Sequence, residues 1–395
     1  MQVLKMLQES SCKSLESIHA SRRASLWTGV RALLKGKQLW LTALGRHIGG
    51  RVNEKHSIKR IDRLLGNRFF EAERSAWYGF VSGMVIGGCR RPVILVDWSD
   101  LDGGRRLYVL RAAVAVGGRA LPIYEEVHDR MGDRHVHRRF LSRLGALLGE
   151  GCCPILVTDA GFRTWWYALV EARGWSYVGR VRNRDLLRRP GQGCWWSNKE
   201  LHAFATSRAK SLGPLWLSKA CPLLAQFYLV KKSPKGRSKR TRQGTRSGSG
   251  QSEKHAARER EPWLLVSNLL HRSTTARKVV ALYATRMQIE QGFRDLKAPR
   301  HGFALRQNSG RRLERVATLL LLAALGMLVS WLVGLHGYAN QLHRGLQANT
   351  VSSRKVLSVF FVGLRLLNQQ IRITRNDVDH AIEMLRMDVA AQVPS

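Results

Sequence analysis

Three carboxylates stand where chemistry could be done. Asp97 follows the apolar run VILV, and Asp159 follows ILVT. Read as buried strands, both runs end in an aspartate at a sheet edge, where neighbouring strand ends converge. Two carboxylates on adjacent strands could share a hard divalent cation such as Mg²⁺, which binds through one or two protein carboxylates plus phosphate oxygens. The bland alternative is that each aspartate begins a turn or, for Asp159 before AGFRTWW, caps the next helix. The third carboxylate is Glu290, in YATRMQIEQGFRDLK, residues 283–297.

On one helix turning about 100° per residue, Tyr283, Arg286, Glu290 and Lys297 fall within roughly 60° of each other along about 21 Å of axis. Leu282, Ile289, Phe293 and Leu296 form an apolar stripe beside them that can anchor the helix on a sheet. The polar stripe then borders a cleft, and its spacing reads as something other than the i,i+4 Glu–Lys ladder of a solvated face. Glu290 could complete a metal site with the two aspartates. Arg286 and Lys297 could grip phosphates on either side, and Tyr283 could bond a phosphate or pack on a sugar. Two metal ions about 4 Å apart activate an attacking oxygen and stabilise a leaving one in phosphodiester transfer.

The elements that must hold these residues follow from periodicity. RPVILVDWSDL, RRLYVLRAAVAVGG and RALPIYEEVH read as three successive antiparallel strands, with Gly-Gly as a turn. RHVHRRFLSRLGALLGEG reads as a helix, CPILVTDAGF as a strand, FRTWWYALVEARGW as a helix and SYVGRVRNR as a strand. That order predicts an α/β fold, a mixed sheet flanked by helices. Residues 185–265 hold strand-like pieces (PLWLSKA, AQFYLVKK, PWLLVSNL), with a Ser/Gly/Arg/Lys-rich stretch over 231–262 that reads as a mobile basic loop. In KHSIKRIDRLLGN, Ile58, Ile61, Leu64 and Leu65 make an apolar face and Gly66 can cap the end. Lys55, Lys59, Arg60 and Arg63 project elsewhere, toward phosphates or simply toward solvent.

Composition points the same way. The 395 residues carry a formal charge of +38, with 66 Lys and Arg against 28 Asp and Glu. A surplus that large on a chain of normal hydrophobic content points to a polyanion, most often nucleic acid. The six cysteines show no CxxC spacing, which fits a reducing compartment better than a disulfide framework, and the N-terminus lacks the apolar run of a signal peptide. The uncharged segment 316–335, VATLLLLAALGMLVSWLVGL, is long enough to cross a bilayer. Its sparse flanking charge and the lack of a second span favour a helix buried on all sides.

Taken together, Tyr283-x2-Arg286-x3-Glu290-x6-Lys297 resembles the Y-R-E-K signature of the IS4-type (Tn5/Tn10-like) bacterial insertion-sequence transposases. Asp97 in LVDWSD and Asp159 in LVTDAGF resemble the first two members of that family's DDE triad. The resemblance covers roughly residues 55–300. It implies an RNase H-like core with a β-rich insertion between Asp159 and Glu290, and helical N- and C-terminal regions. It also implies two Mg²⁺ ions on Asp97, Asp159 and Glu290, with Mn²⁺ able to substitute.

The expected activity is cut-and-paste transposition: a nick at a terminal inverted repeat, a hairpin formed by the freed 3′-OH, and attack on target DNA. The implied partners are double-stranded DNA and a second copy of the chain, in a bacterial cytoplasm at the nucleoid, with no membrane. Trp263 resembles the tryptophan that stacks on a flipped base, its alternative being a strand residue in the core. Met287 stands where some relatives carry a second aromatic. Arg180 and Arg182 are candidate backbone contacts or a solvated strand face.

The regions expected are a basic DNA-end-binding region 1–85, catalytic core 86–184, insertion 185–265, catalytic core 266–340 and C-terminal helices 341–395. A nuclease without strand transfer, and a DNA-binding derivative with a dead core, remain the alternatives.

Overall fold

The computed structural model describes residues 2–104, 106–182, 185–233, 249–250, 261–269, 275–348, 350–351 and 353–392. Most of the basic stretch 231–262 lies outside them. The chain divides into two compact units, residues 1–154 with 285–393, and residues 155–284.

The first unit opens with five helices: α1 (Gln2–Ser14), α2 (Ala20–Gly36), α3 (Leu41–Arg46), α4 (Glu54–Leu65) and α5 (Phe69–Ile86). A three-stranded meander follows, β1 (Val93–Asp100), β2 (Tyr108–Val116) and β3 (Arg119–His128), then α6 (Arg134–Leu148). The strands pair antiparallel in the order β3-β2-β1. Gly117 and Gly118, at φ 49° and 87°, close the β2–β3 turn; two successive positive φ values are what a two-residue turn matching the strand twist needs. Asp97 is not at the end of its strand. It is the fifth residue of β1, where burial changes from complete to partial, because the apolar run fills only the first half of the ladder.

The second unit starts with β4 (Ile155–Thr158), α7 (Thr164–Glu171) and β5 (Ser176–Val181), with β4 and β5 parallel. The insertion adds β6 (Leu186–Arg188), β7 (Trp196–Ser197), β8 (Lys210–Leu217), β9 (Leu223–Val230) and β10 (Trp263–Ser267). Their order alongside β4 is β4-β5-β10-β9-β8-β6-β7, and every pairing after β4–β5 is antiparallel. Helix α8 (Ala276–Thr285) ends this unit. The architecture is mixed α/β, with mostly antiparallel strands flanked by helices and a β-rich insertion.

The chain then returns to the first unit with α9 (Met287–Lys297), α10 (Leu313–Ala339), α11 (Val359–Asn368) and α12 (Arg375–Ala391). Helix 283–297 is therefore two helices, broken at Arg286, whose backbone stays helical at φ −50°, ψ −35°. Helix α10 contains the 316–335 segment and is buried over that whole stretch. Helices α2, α4, α5, α11 and α12 and strand β3 pack around it. A helix apolar on every face needs cover on every face, and here the protein supplies it.

Candidate active site

The meander sets one face of the first unit. Asp97 is in register with Arg111 on β2, and Arg111 with Glu125 on β3, so the three side chains share a face. Arg111 and Glu125 form an ion pair at 2.7 Å, each side chain only 1% exposed. The Tyr78 hydroxyl donates to the other Glu125 oxygen at 3.2 Å, and burial pushes that phenol well above its usual pKa. Burying two charges is costly unless they are paired and hydrogen-bonded; here they are paired, and the Arg111 Nε–H donates to Glu125 Oε1 at 2.8 Å. The lone arginine in YVLRAAVAV was the sequence signal for this pair, and it was missed.

Helix α9 is tied to this face along its length. Its apolar stripe, Ile289, Phe293 and Leu296, is buried. The Arg111 guanidinium lies 4.4 Å from the Phe293 ring centroid. Gly292 allows the close approach: a Cβ there would sit 2.9 Å from the Ala120 carbonyl oxygen. Asp295 pairs with Arg119 at 2.9 Å. Burial raises the Asp295 pKa to about 6 against the pull of Arg119.

Lys297 ends the helix on β1, donating to Ser99 Oγ at 2.6 Å and to the Asp100 carbonyl. It is 9% exposed. Burial first, then the charges of Arg111 and Arg306, push its pKa down to about 8. These contacts clamp the last turn of α9 to the end of β1.

Arg286 lies between two of the predicted carboxylates. Its guanidinium is 3.4 Å from Asp97 Oδ2 and 2.6 Å from Glu290 Oε1. The second contact is an i,i+4 pair, so the expectation of a stripe without such pairs is corrected: residues four apart on a helix are neighbours. Asp97 and Glu290, far apart in sequence, thus converge on one cation.

In the second unit, Asp159 follows β4 directly. Its Oδ1 accepts from the Gly161 N–H at 2.8 Å, forming a tight turn. It does not cap α7, whose N-cap is Arg163. Tyr283 is 4% exposed and meets Trp263 edge-on at 4.9 Å between ring centroids. Trp263 is half-buried at the start of β10, with the Lys232 ammonium 5.9 Å from its ring. Arg180 donates to the Glu261 and Pro262 carbonyls at 3.4 and 3.3 Å, and Arg182 to the Glu261 carboxylate at 2.6 Å. Both arginines are engaged with the entry to β10 and do not form a solvated strand face.

A family model described as a transposase DDE domain matches residues 88–327, a span that includes Asp97, Asp159 and Glu290. The chain belongs to the transposase DDE domain family. No curated protein matches it.

The fold described above is consistent with the RNase H-like fold of such transposases. The family is one of metal-dependent DNA-cutting enzymes, and its members use divalent ions. Among the described residues of this transposase, no three His, Cys, Asp or Glu side chains form a group that could hold a metal. Two carboxylates do meet on a shared cation, Arg286. Their hard oxygen donors suit a divalent ion, which needs only one or two protein carboxylates beside phosphate oxygens.

The next residue of β1, Trp98, points to the opposite face of the sheet and anchors a second network. The Trp98 indole N–H donates to His137 Nε2 at 2.9 Å. Burial lowers the His137 pKa to about 4, which keeps the ring neutral and Nε2 able to accept. The Trp98 ring also meets His128, centroids 5.3 Å apart. Glu126 collects His128, Tyr124, Arg139 and Arg143 within 3.3 Å. Burial alone would raise the Glu126 pKa, but the bonds from His128 and Tyr124 and the two guanidinium charges bring it to about 2. This transposase also presents Lys59, Arg60 and Arg63 on the exposed face of α4. Ile61, Leu64 and Leu65 are buried beneath them, and Ile58 half-buried.

Proposed function

We propose that the chain is a cut-and-paste DNA transposase of the IS4 type that acts at the terminal inverted repeats of an insertion sequence. The observation that carries this reading is the convergence of Asp97 and Glu290 on one cation. Asp159 would complete the ligand set for two Mg²⁺, or Mn²⁺ in their place. Bound there, the ions would activate the attacking oxygen and offset charge on the leaving one.

The chain's own residues do the positioning. Lys59, Arg60 and Arg63 on α4 hold the backbone of the end DNA. Arg286 and Lys297 grip phosphates flanking the reacting one, with Lys297 also fixing α9 against β1. Trp263, backed by Tyr283, takes the flipped base. Water first cleaves one strand and frees a 3′-OH. That hydroxyl attacks the opposite strand to give a hairpin end and releases the flanking DNA; a second water opens the hairpin and restores the 3′-OH, which then attacks target DNA. Two copies of the chain pair the two ends at the bacterial nucleoid. The regions 1–85, 86–184, 185–265, 266–340 and 341–395 serve as end-binding, catalytic, insertion, catalytic and C-terminal parts.

The test uses a plasmid carrying the DNA that flanks the coding region, incubated with purified protein and Mg²⁺. Cleaved ends and joined products are expected from the wild type, and neither from Asp97→Asn, Asp159→Asn or Glu290→Gln. Full cleavage by any of these variants sinks the assignment. Cleaved ends without joined products would instead mark a nuclease, and wild-type protein that binds the ends without cutting them would mark a dead derivative.

A further inference from the structure

We infer that Arg286 competes with the divalent ion for Asp97 and Glu290, so that loading the site requires the guanidinium to swing away. This rests on the reading of those two carboxylates as ligands. One guanidinium spans both, at 3.4 and 2.6 Å, and its positive charge there opposes a second cation on the same two carboxylates. The two carboxylates and Arg286 differ in access: Glu290 is 43% exposed, Asp97 13% and Arg286 14%. An ion can therefore approach from the Glu290 side and meet a carboxylate already neutralised.

The anchoring of Arg286 is poised for release. It sits at the break between α8, which ends at Thr285, and α9, which begins at Met287, and its two carboxylate contacts differ in length, the Asp97 one being long. Lys297 and Arg111 on the same face are engaged with Ser99 and Asp100 and with Glu125. Arg286 has a long side chain that can turn about its own torsions with no movement of α9. A phosphate offers the guanidinium the same fork-shaped bonding as a carboxylate. DNA arrival would thus draw Arg286 off and open the carboxylates together, coupling phosphate binding to metal binding.

Titration of the full-length chain with Mn²⁺ alone, read by the electron paramagnetic resonance of free Mn²⁺, tests this. Removing the competing charge in Arg286→Gln should tighten Mn²⁺ binding about tenfold. Arg286→Lys, which keeps the charge without the fork, should gain less. Asp97→Asn and Glu290→Gln, in both the wild-type and Arg286→Gln backgrounds, should leave more Mn²⁺ free.

If Asp97→Asn still abolishes binding but Arg286→Gln is tighter by less than about threefold, or is weaker, the competition is refuted and the metal site stands. If bound Mn²⁺ is insensitive to both Asp97→Asn and Glu290→Gln, the metal site and the competition fall together. Should Arg286→Gln lose its cooperative thermal transition, Arg286→Lys decides: affinity equal to or below wild type overturns the competition.

Discussion

Arg286 and Glu290 stand one helical turn apart, with the guanidinium 2.6 Å from the carboxylate, and the same guanidinium reaches Asp97 at 3.4 Å. Glu290 is 43% exposed, and an exposed i,i+4 pair contributes only ~0.3–0.5 kcal/mol to stability. Glu290→Gln should therefore leave urea-denaturation stability nearly unchanged. End cleavage should fall by about 10²–10³-fold or more, the scale set by losing one preorganised group at a reacting centre. A large stability loss with cleavage retained would make Glu290 a structural residue.

The buried Arg111–Glu125 pair makes the opposite prediction. Arg111→Met leaves the buried Glu125 carboxylate without its cation and should cost ~3–5 kcal/mol. Adding Glu125→Leu should recover part of that loss, because the stranded charge is gone. Denaturation of the two single variants and the double variant measures the coupling. A double variant as unstable as the sum of the singles would show that the two residues act independently.

Asp295 gives a pH signature. Burial raises its pKa in the folded chain to about 6, above the usual carboxylate range. The folded chain then holds this proton more tightly than the unfolded chain. The contribution is present at low pH and is lost as pH rises through about 6. Between pH 7 and 4 the wild type should gain up to ~2–3 kcal/mol relative to Asp295→Asn. Thermal denaturation of the pair across that range cancels other titrations. Parallel stability curves would show that Asp295 titrates normally.

Trp263 carries the base-stacking proposal. Base–aromatic stacking is worth ~1–3 kcal/mol, so Trp263→Ala should weaken binding to end DNA carrying an unpaired base by about five- to 150-fold. Affinity for fully paired DNA should change little. Fluorescence anisotropy with the two oligonucleotides reads the difference. Equal losses on both would assign Trp263 to supporting β10 and Tyr283.

Much of this molecule was legible in the chain. The runs VILV and ILVT mark strands because continuous apolar residues must be covered on both sides, and the 3.6-residue period marks α4, α6 and α9. What periodicity could not show was which polar residues on a stripe face water. Lys297 and Glu290 lie close in angle on α9, yet Lys297 is 9% exposed and Glu290 43%, since the end of β1 covers only the last turn. The four-residue spacing of Arg286 and Glu290 was plain in the sequence, but the reading favoured DNA over the nearer carboxylate.

By itself, the sequence determined the residue types and spacings: hard oxygen donors after apolar strands, a cationic stripe with a glutamate, and a strong positive charge. Those are properties of local chemistry and repeat. Only the tertiary structure decided that Asp97 and Glu290 meet on Arg286, that Arg111 is neutralised by Glu125, and that the apolar segment 316–335 is wrapped by protein. Each depends on contacts between residues distant in the chain, made when burying the apolar faces brings α9 and α10 against the meander.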